Sequence, residues 1–262
     1  MKKIFIVISM ILLLASCTST KEIAYFQDSE HGRSASVAQK QITLRPEDKI
    51  TILVNTRNQE LTNMFNLPYV SRQLGTQTNY GQTQGVSCYT VDNEGNIDFP
   101  QLGKVHIAGM TRNMVAETIK SKLVGANLVK DPIVTVEFAN LTFSVLGEVK
   151  NPNRYPIDRD AITILDAISR AGDLTIHGLR TNIKVLRMNE DGTQKSYIVN
   201  LCSLEELQNS PVFYLQQNDV VYVEPNEMRA RQSTVNGNNV RSSSFWISLA
   251  SLLTSVTLIF VK

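Results

Sequence analysis

The carboxy-terminal stretch "SSSFWISLASLLTSVTLIFVK" limits what this chain can become more than any other part of it. From Ser244 to Val261 it carries no charge, and Lys262 closes it. As a helix rising 1.5 Å per residue, these residues extend about 27 Å, close to the ~30 Å hydrocarbon core of a bilayer. On a 100° wheel Ser244, Ser248, Ser251 and Ser255 fall within about 60° of one another. Phe245, Trp246, Leu249, Leu253, Val256 and Phe260 occupy the opposite half. The expectation is a transmembrane helix over 244–262 with one hydroxyl-lined stripe, which needs something polar to face.

The other end is equally patterned. "MKKIFIVISMILLLASC" has two lysines, an apolar run from Ile4 to Ala15, and small residues before a cysteine. This is the layout of a secretory signal peptide, read here as residues 1–16. Leu14-Ala15-Ser16-Cys17 resembles the bacterial lipobox, which implies cleavage before Cys17 and acylation of its thiol and new amine. Thr18 stands where an Asp would signal inner-membrane retention, so the outer membrane is the expected destination.

The chain has 26 Lys and Arg against 24 Asp and Glu, and loss of residues 1–16 removes Lys2 and Lys3, leaving the two classes equal. A neutral mature chain without a Lys/Arg-rich run has no electrostatic footprint for nucleic acid. With Cys17 acylated, Cys88 and Cys202 remain. A disulfide between them in an oxidising periplasm and a pair of half-buried free thiols are both compatible with the sequence.

Along the chain, residues 17–41 read as a polar, lipidated tether. "ITLRPEDKITILV" alternates as strand, turn and strand, and opens a unit over 42–140. Residues 56–86, rich in Asn, Gln, Thr and Gly, read as an inserted loop in which "LTNMFNL" is able to form a helical turn. "SCYTVDNEGNIDFPQLGKVHIAGM" gives strand, Asn-Glu-Gly turn and a strand stopped by Pro100. Thr111 caps a helix whose Val115, Ile119 and Leu123 share a face, with Gly125 at its end.

A second unit, 141–225, repeats similar grammar. Thr163 and Asp166 predict a capped helix stopped by Gly172. Asp191-Gly192 predicts a hairpin turn, and "FYLQQNDVVYVEP" predicts a closing strand. The fold class expected is α+β, the second unit β-grasp-like, with strands wrapped around one helix. Residues 226–243 read as a flexible polar linker into the terminal helix.

These segments, in this order, resemble the Wza-like outer-membrane polysaccharide export (OPX) proteins, in the form found in Bacteroides-like bacteria ("CTSTKEIAYFQ"). "LRPEDKITILV" is similar to the family's opening strand-turn, with Glu47 in place of the usual Gly. "VDNEGNIDFPQLGKVHIAGMT" and "DPIVTVEF" match its export domain. "VLGEVKNP", "ITILDAISRAGD" and "LQQNDVVYVEP" resemble an SLBB (soluble-ligand-binding β-grasp) domain, with Asp173 and Asn218 where Gly is common.

The resemblance implies a homo-oligomeric ring that carries capsular or exopolysaccharide outward. Its globular domains would lie in the periplasm and its terminal helices would form a pore through the outer membrane. The implied partner is an inner-membrane polysaccharide co-polymerase with tyrosine autokinase character. Ser244, Ser248, Ser251 and Ser255 would then face the pore, toward water or a neighbouring helix, and Leu249, Leu253, Val256 and Phe260 would face lipid. The competing reading is a non-pore outer-membrane lipoprotein adaptor that binds a glycan or protein through its SLBB domain.

The chemistry argues against an enzyme. His31, His106 and His177 lack partner spacing, and no nucleophile elbow or phosphate loop is present. His106, between Val105 and Ile107, reads as a surface histidine. Asp92, Glu94 and Asp98 lack the full set of a calcium loop and read as turn residues. Glu148 and Asp166 suit a strand end and a helix cap. No metal or cofactor is expected.

Overall fold

The computed structural model describes residues 23–28, 39–66, 68–69, 85–86, 88–189, 192–235 and 237–261. The signal peptide, Cys17, much of the inserted loop, Asp191 and the side chain of Phe260 lie outside the described residues. The chain is α+β, as its pattern predicts, and is built on two cores.

In the first unit, β1 (Lys49–Asn55) lies between β4 (Cys88–Thr90) and β7 (Ile133–Phe138), antiparallel to both. Strand periodicity sends Ile50, Ile52 and Val54 into the core. Between β1 and β4, α1 (Gln59–Phe65) is capped by Asn58, and short β2 (Pro68–Tyr69) pairs with β3 (Gly85–Val86). After β4, β5 (Asn96–Phe99) and β6 (Gly103–His106) form a hairpin over the same core, where Phe99 stacks on Phe65 at 6.4 Å.

Helix α2 (Arg112–Gly125) begins as its sequence predicts, with the Thr111 hydroxyl accepting from the Met114 amide. Val115, Ile119 and Leu123 are buried, each contributing roughly 1.5–3 kcal/mol relative to exposure. Gly125 is its last helical residue rather than the residue past its end, and Asn127 takes the left-handed conformation instead, at φ 54°.

The opening segment differs from the predicted first strand. Ile42 and Leu44 are buried but lie in no strand, Leu44 instead exchanging backbone bonds with Met110 and Gly109, and they serve different cores, Leu44 the first and Ile42 the second. The Ile42 amide donates to the Asp160 carbonyl at 2.8 Å, so this stretch crosses between units.

In the second unit, a five-stranded sheet has the order β12-β11-β14-β8-β9. Its strands are β8 (Thr142–Gly147), β9 (Asn153–Pro156), β11 (Gly178–Met188), β12 (Gln194–Val199) and β14 (Val220–Pro225). The pairing of β14 with β8 is parallel and the other pairings are antiparallel. A two-stranded pair, β10 (Ile162–Thr163) with β13 (Tyr214–Leu215), leads into and follows the helices. Helix α3 (Ile164–Arg170) carries the full capping box, Thr163 and Asp166 each bonding the other's backbone. Helix α4 (Leu204–Asn209) follows β12.

Gly147 ends β8 at φ 89°, and a Cβ there would lie 2.1 Å from the Val223 carbonyl oxygen. Glycine is what lets the two parallel strands approach.

After β14, the stretch read as a flexible linker contains α5 (Glu227–Gln232), capped by Asn226 and braced by Glu227–Arg231 at 2.8 Å, and a 3-10 turn at Asn239–Arg241. Helix α6 (Ser243–Val261) then runs to the end of the described chain.

One expectation is corrected. Among the described residues, no helix is long and apolar enough to cross a membrane. The terminal segment is a 19-residue helix, as predicted, but 7 of those residues are Ser or Thr. The serine stripe alone understates this polarity. On the same 100° wheel Thr254 and Thr257 fall outside the stripe, so hydroxyls interrupt the apolar side too.

Candidate functional site

The two units meet at a polar junction. Gln217 donates through Nε2 to the Thr43 carbonyl at 3.2 Å and to Asp48 Oδ2 at 3.1 Å. The Arg45 guanidinium donates to the Gln216 side-chain carbonyl, and to the Met188 carbonyl at 3.4 Å. Burial pushes the Asp48 carboxyl up to about 6, against the opposing pull of the Arg45 amide, the Arg45 charge and Gln217. Among the described residues the buried Gln217 Oε1 atom has no hydrogen-bond partner. Beside this contact Arg112 holds Asp160 at 2.5 Å and Glu137 at 3.2 Å, and lies over the Phe138 ring.

Behind the junction, buried Arg187 forms a forked pair with buried Asp219, at 3.0 Å through Nε and 2.6 Å through Nη2. The Pro211 and Tyr214 carbonyls take further Arg187 donors, and Asp219 Oδ2 also accepts the Gln216 amide at 2.8 Å. This pair fixes the Gln216–Asp219 corner that presents Gln217 to Asp48. Removing one partner of such a pair costs about 3–5 kcal/mol.

At the far end of the second unit, residues 23–28 pack on it. The Phe26 and Gln27 amides donate to the Leu201 and Cys202 carbonyls at 3.1 and 2.7 Å. The Tyr25 hydroxyl donates to Asp173, and the Arg180 guanidinium lies 5.4 Å from the Tyr25 ring centre. Burial, together with the Asp173 carboxylate, raises the Tyr25 hydroxyl above its ordinary range. Burial opposes ionisation of Asp173, but Tyr25, the Leu174 amide, Arg180 and Lys150 together hold it below the usual carboxylate value. Asp28 accepts from the Leu204 amide at 2.6 Å, the Ser203 hydroxyl and the Glu205 amide, and these bonds, that of Leu204 foremost, lower it to about 2.

The polar residues singled out in the sequence fall where turns and caps need them. Asp92 Oδ1 accepts the Asn96 and Glu94 amides, and these bonds, that of Asn96 foremost, hold it below its ordinary value. His106 is exposed and pairs with Asn96 Oδ1 at 3.2 Å. Glu148 accepts from the Thr175 hydroxyl and from Arg229, which lower it, the Thr175 bond foremost. Cys88 is exposed, Cys202 is partly buried, and the two are not joined.

On α6, the Ser255 hydroxyl donates to the Ser251 carbonyl at 2.9 Å. Thr254 and Thr257 likewise turn back to Ala250 and Leu253. Of the stripe, this satisfies Ser255 within the helix, while Thr254 and Thr257 do the same outside it. Ser244, Ser248, Ser251, Leu249, Leu253 and Val256 are all exposed, so neither face is brought against another part of the described chain. A concavity of about 540 Å³ beside α1 is lined by Leu61, Leu128 and Val129 with Arg57, Lys130 and Asp131 among its polar lining.

Comparison with known proteins finds relatives for both units. Residues 36–139 match the family described as polysaccharide biosynthesis/export protein, and residues 141–223 match the SLBB domain. The chain is similar to the EPS I polysaccharide export outer membrane protein EpsA of Ralstonia solanacearum, 33% identical over 154 residues, covering 57% of this chain and 39% of that one. The protein of the same name from Ralstonia nicotianae is 33% identical over 153 residues, covering 56% and 38%. The matched part spans about two fifths of the length of these relatives. The chain thus carries a region similar to the polysaccharide biosynthesis/export family followed by one similar to the SLBB domain, and the two meet through one polar junction.

Proposed function

We propose that this chain is a subunit of an apparatus that exports capsular or exopolysaccharide across the outer membrane. The observation that carries this reading is the tandem of export and SLBB domains, shared in sequence with proteins named as polysaccharide export outer membrane proteins. In this reading the mature chain begins at Cys17, whose acyl groups hold it to the outer membrane with both domains in the periplasm. Copies assemble as a ring, and an inner-membrane co-polymerase with tyrosine autokinase character delivers the polymer. The chain binds and guides its substrate without chemical change. In the ring, Ser244, Ser248, Ser251 and Ser255 face the axis, and Leu249, Leu253, Val256 and Phe260 face away.

A second reading is favoured by one observation. Because no described helix is long and apolar enough to cross a membrane, the chain also fits an outer-membrane lipoprotein adaptor that binds glycan or protein through its SLBB domain while another protein supplies the pore. Electron microscopy of the detergent-extracted protein separates the two. A closed ring that conducts ions in planar bilayers supports the conduit, and monomers without conductance support the adaptor. For the anchor, Cys17→Ser is expected to abolish palmitate labelling and leave an unprocessed precursor. Undiminished labelling would overturn the assignment of Cys17.

A further inference from the structure

The five-stranded sheet of the SLBB domain has two chemically different ends, and strand register sorts them. Val220 of β14 pairs with Leu186 of β11 and Ser144 of β8, whereas Val223 pairs with Ile183 and Gly147, and Pro225 with Gly178. In β12, Val199 lies opposite Ile183, and Gln194 lies opposite Met188. Among the described residues, Met188, Gln216 and Gln217, which bond the export domain, belong to the Val220 end, and Asp160, which bonds Arg112, follows β9 at that same end, beyond the pairing of Pro156 with Thr142. Among the described residues, Leu201, Cys202, Arg180 and Asp173, which touch residues 23–28, belong to the Pro225 end, and Ser203, Leu204 and Glu205, which bond Asp28, directly follow Cys202. The chain also leaves for α5 and α6 from the Pro225 end, where the Asn226 amide donates to the His177 carbonyl at 2.7 Å. The five steps from Val220 to Pro225 separate the two ends by about 17 Å.

Chain length then says what lies beyond the Pro225 end. Between Cys17 and Ile23 stand residues 18–22. Whatever their conformation, six steps of backbone span at most about 20 Å. Without the contacts of residues 23–28, the first fixed point after Cys17 would be the buried Ile42, with a reach of about 85 Å. At the same Pro225 end, between Leu174 and Gly178, Ile176 projects with 87% of its surface exposed.

We propose that Tyr25–Asp28 is a strap that ties the acylated end of the chain to the Pro225 end of the SLBB domain, so that this end faces the lipid headgroups and the export domain is held away from them. This rests on acylation of Cys17. Tyr25 supplies the lateral fix through Asp173 and Arg180. Asp28 supplies the terminal fix by occupying the amides of Leu204 and Glu205 and the Ser203 hydroxyl. The strap orients the domain before any second copy joins it, and it sets the same distance from membrane to export domain in every copy.

The test uses the full lipidated chain with Cys88 and Cys202 replaced by serine. It is reconstituted in vesicles of palmitoyl-oleoyl phosphatidylethanolamine and phosphatidylglycerol that carry a headgroup-linked acceptor dye. A donor is attached at Ile176→Cys in one sample and at Glu94→Cys, in the export-domain turn, in another. Energy transfer is expected to be strong from position 176 and weak from position 94. In Tyr25→Ala/Asp28→Ala the difference is expected to shrink severalfold, while palmitate labelling stays normal and faster amide exchange is confined to Leu204, Glu205 and residues 23–28. Equal transfer from both positions in the unsubstituted strap, or a difference that survives in the double variant, overturns the strap. Absence of lipid on Cys17 overturns the anchor reading and the strap proposal with it, and mass spectrometry of the same sample identifies that case.

Discussion

Three residues hold turns that ordinarily call for glycine. Glu47, Asp173 and Asn218, each standing where the family pattern has Gly, all adopt the left-handed conformation, at φ 72°, 75° and 64°. The turn geometry is therefore kept and the side chain bears its cost, about 1–2 kcal/mol for a residue such as glutamate. Glu47→Gly is expected to raise the urea midpoint by the equivalent of about 1 kcal/mol, less whatever glycine adds to unfolded-chain freedom. Asp173→Gly is expected to lose stability instead, because Asp173 also receives Tyr25. Asp48 gives the junction a pH dependence. Its carboxyl is raised to about 6 in the folded chain from an ordinary value near 4. Its contribution is thus fully present below about pH 4 and lost as pH rises through 6, on the order of 2–3 kcal/mol. Asp48→Asn is expected to remove that slope between pH 4 and 6 in urea melts. A slope unchanged in the variant would move its origin elsewhere.

Among the elements, those whose signals are local were legible in the sequence. Helices α2 and α3 declared themselves by caps at Thr111 and Thr163 and by apolar residues at helical spacing, and β1 by strict alternation. Helix α5 carries no such signal, because a six-residue helix without a buried residue leaves no apolar period, only its Asn226 cap. Ile42 and Leu44 alternate like a strand yet have no ladder, since alternation reports burial and not pairing. The terminal helix was legible as a helix, but counting serines without Thr254 and Thr257 made it look more apolar on one side than it is. The closest strand contact makes its own prediction. Gly147→Ala places a Cβ against the Val223 carbonyl and is expected to cost at least about 1–3 kcal/mol. Calorimetry should show the SLBB core melting earlier, and an unchanged melting temperature would contradict the close approach of β8 and β14.

At the scale of the whole molecule, the contacts that unite the chain bridge distances no local pattern reports. The Tyr25–Asp173 bond joins residues 148 apart, and Gln217 reaches Asp48 across 169. For that reason neither the contacts of residues 23–28 nor the place of Gln217 at the junction leaves a local signal in the sequence. The two units are joined through Asp48 with Gln217 and through Arg112 with Asp160. The central claim is export. Its direct measurement is the amount of polysaccharide outside the cell in a strain lacking this chain and in the same strain complemented with it. The account predicts that outer polysaccharide is lost while polymer accumulates inside the outer membrane, and that the intact chain restores the surface level. Undiminished surface polysaccharide in the deletion strain, with no internal accumulation, would contradict it.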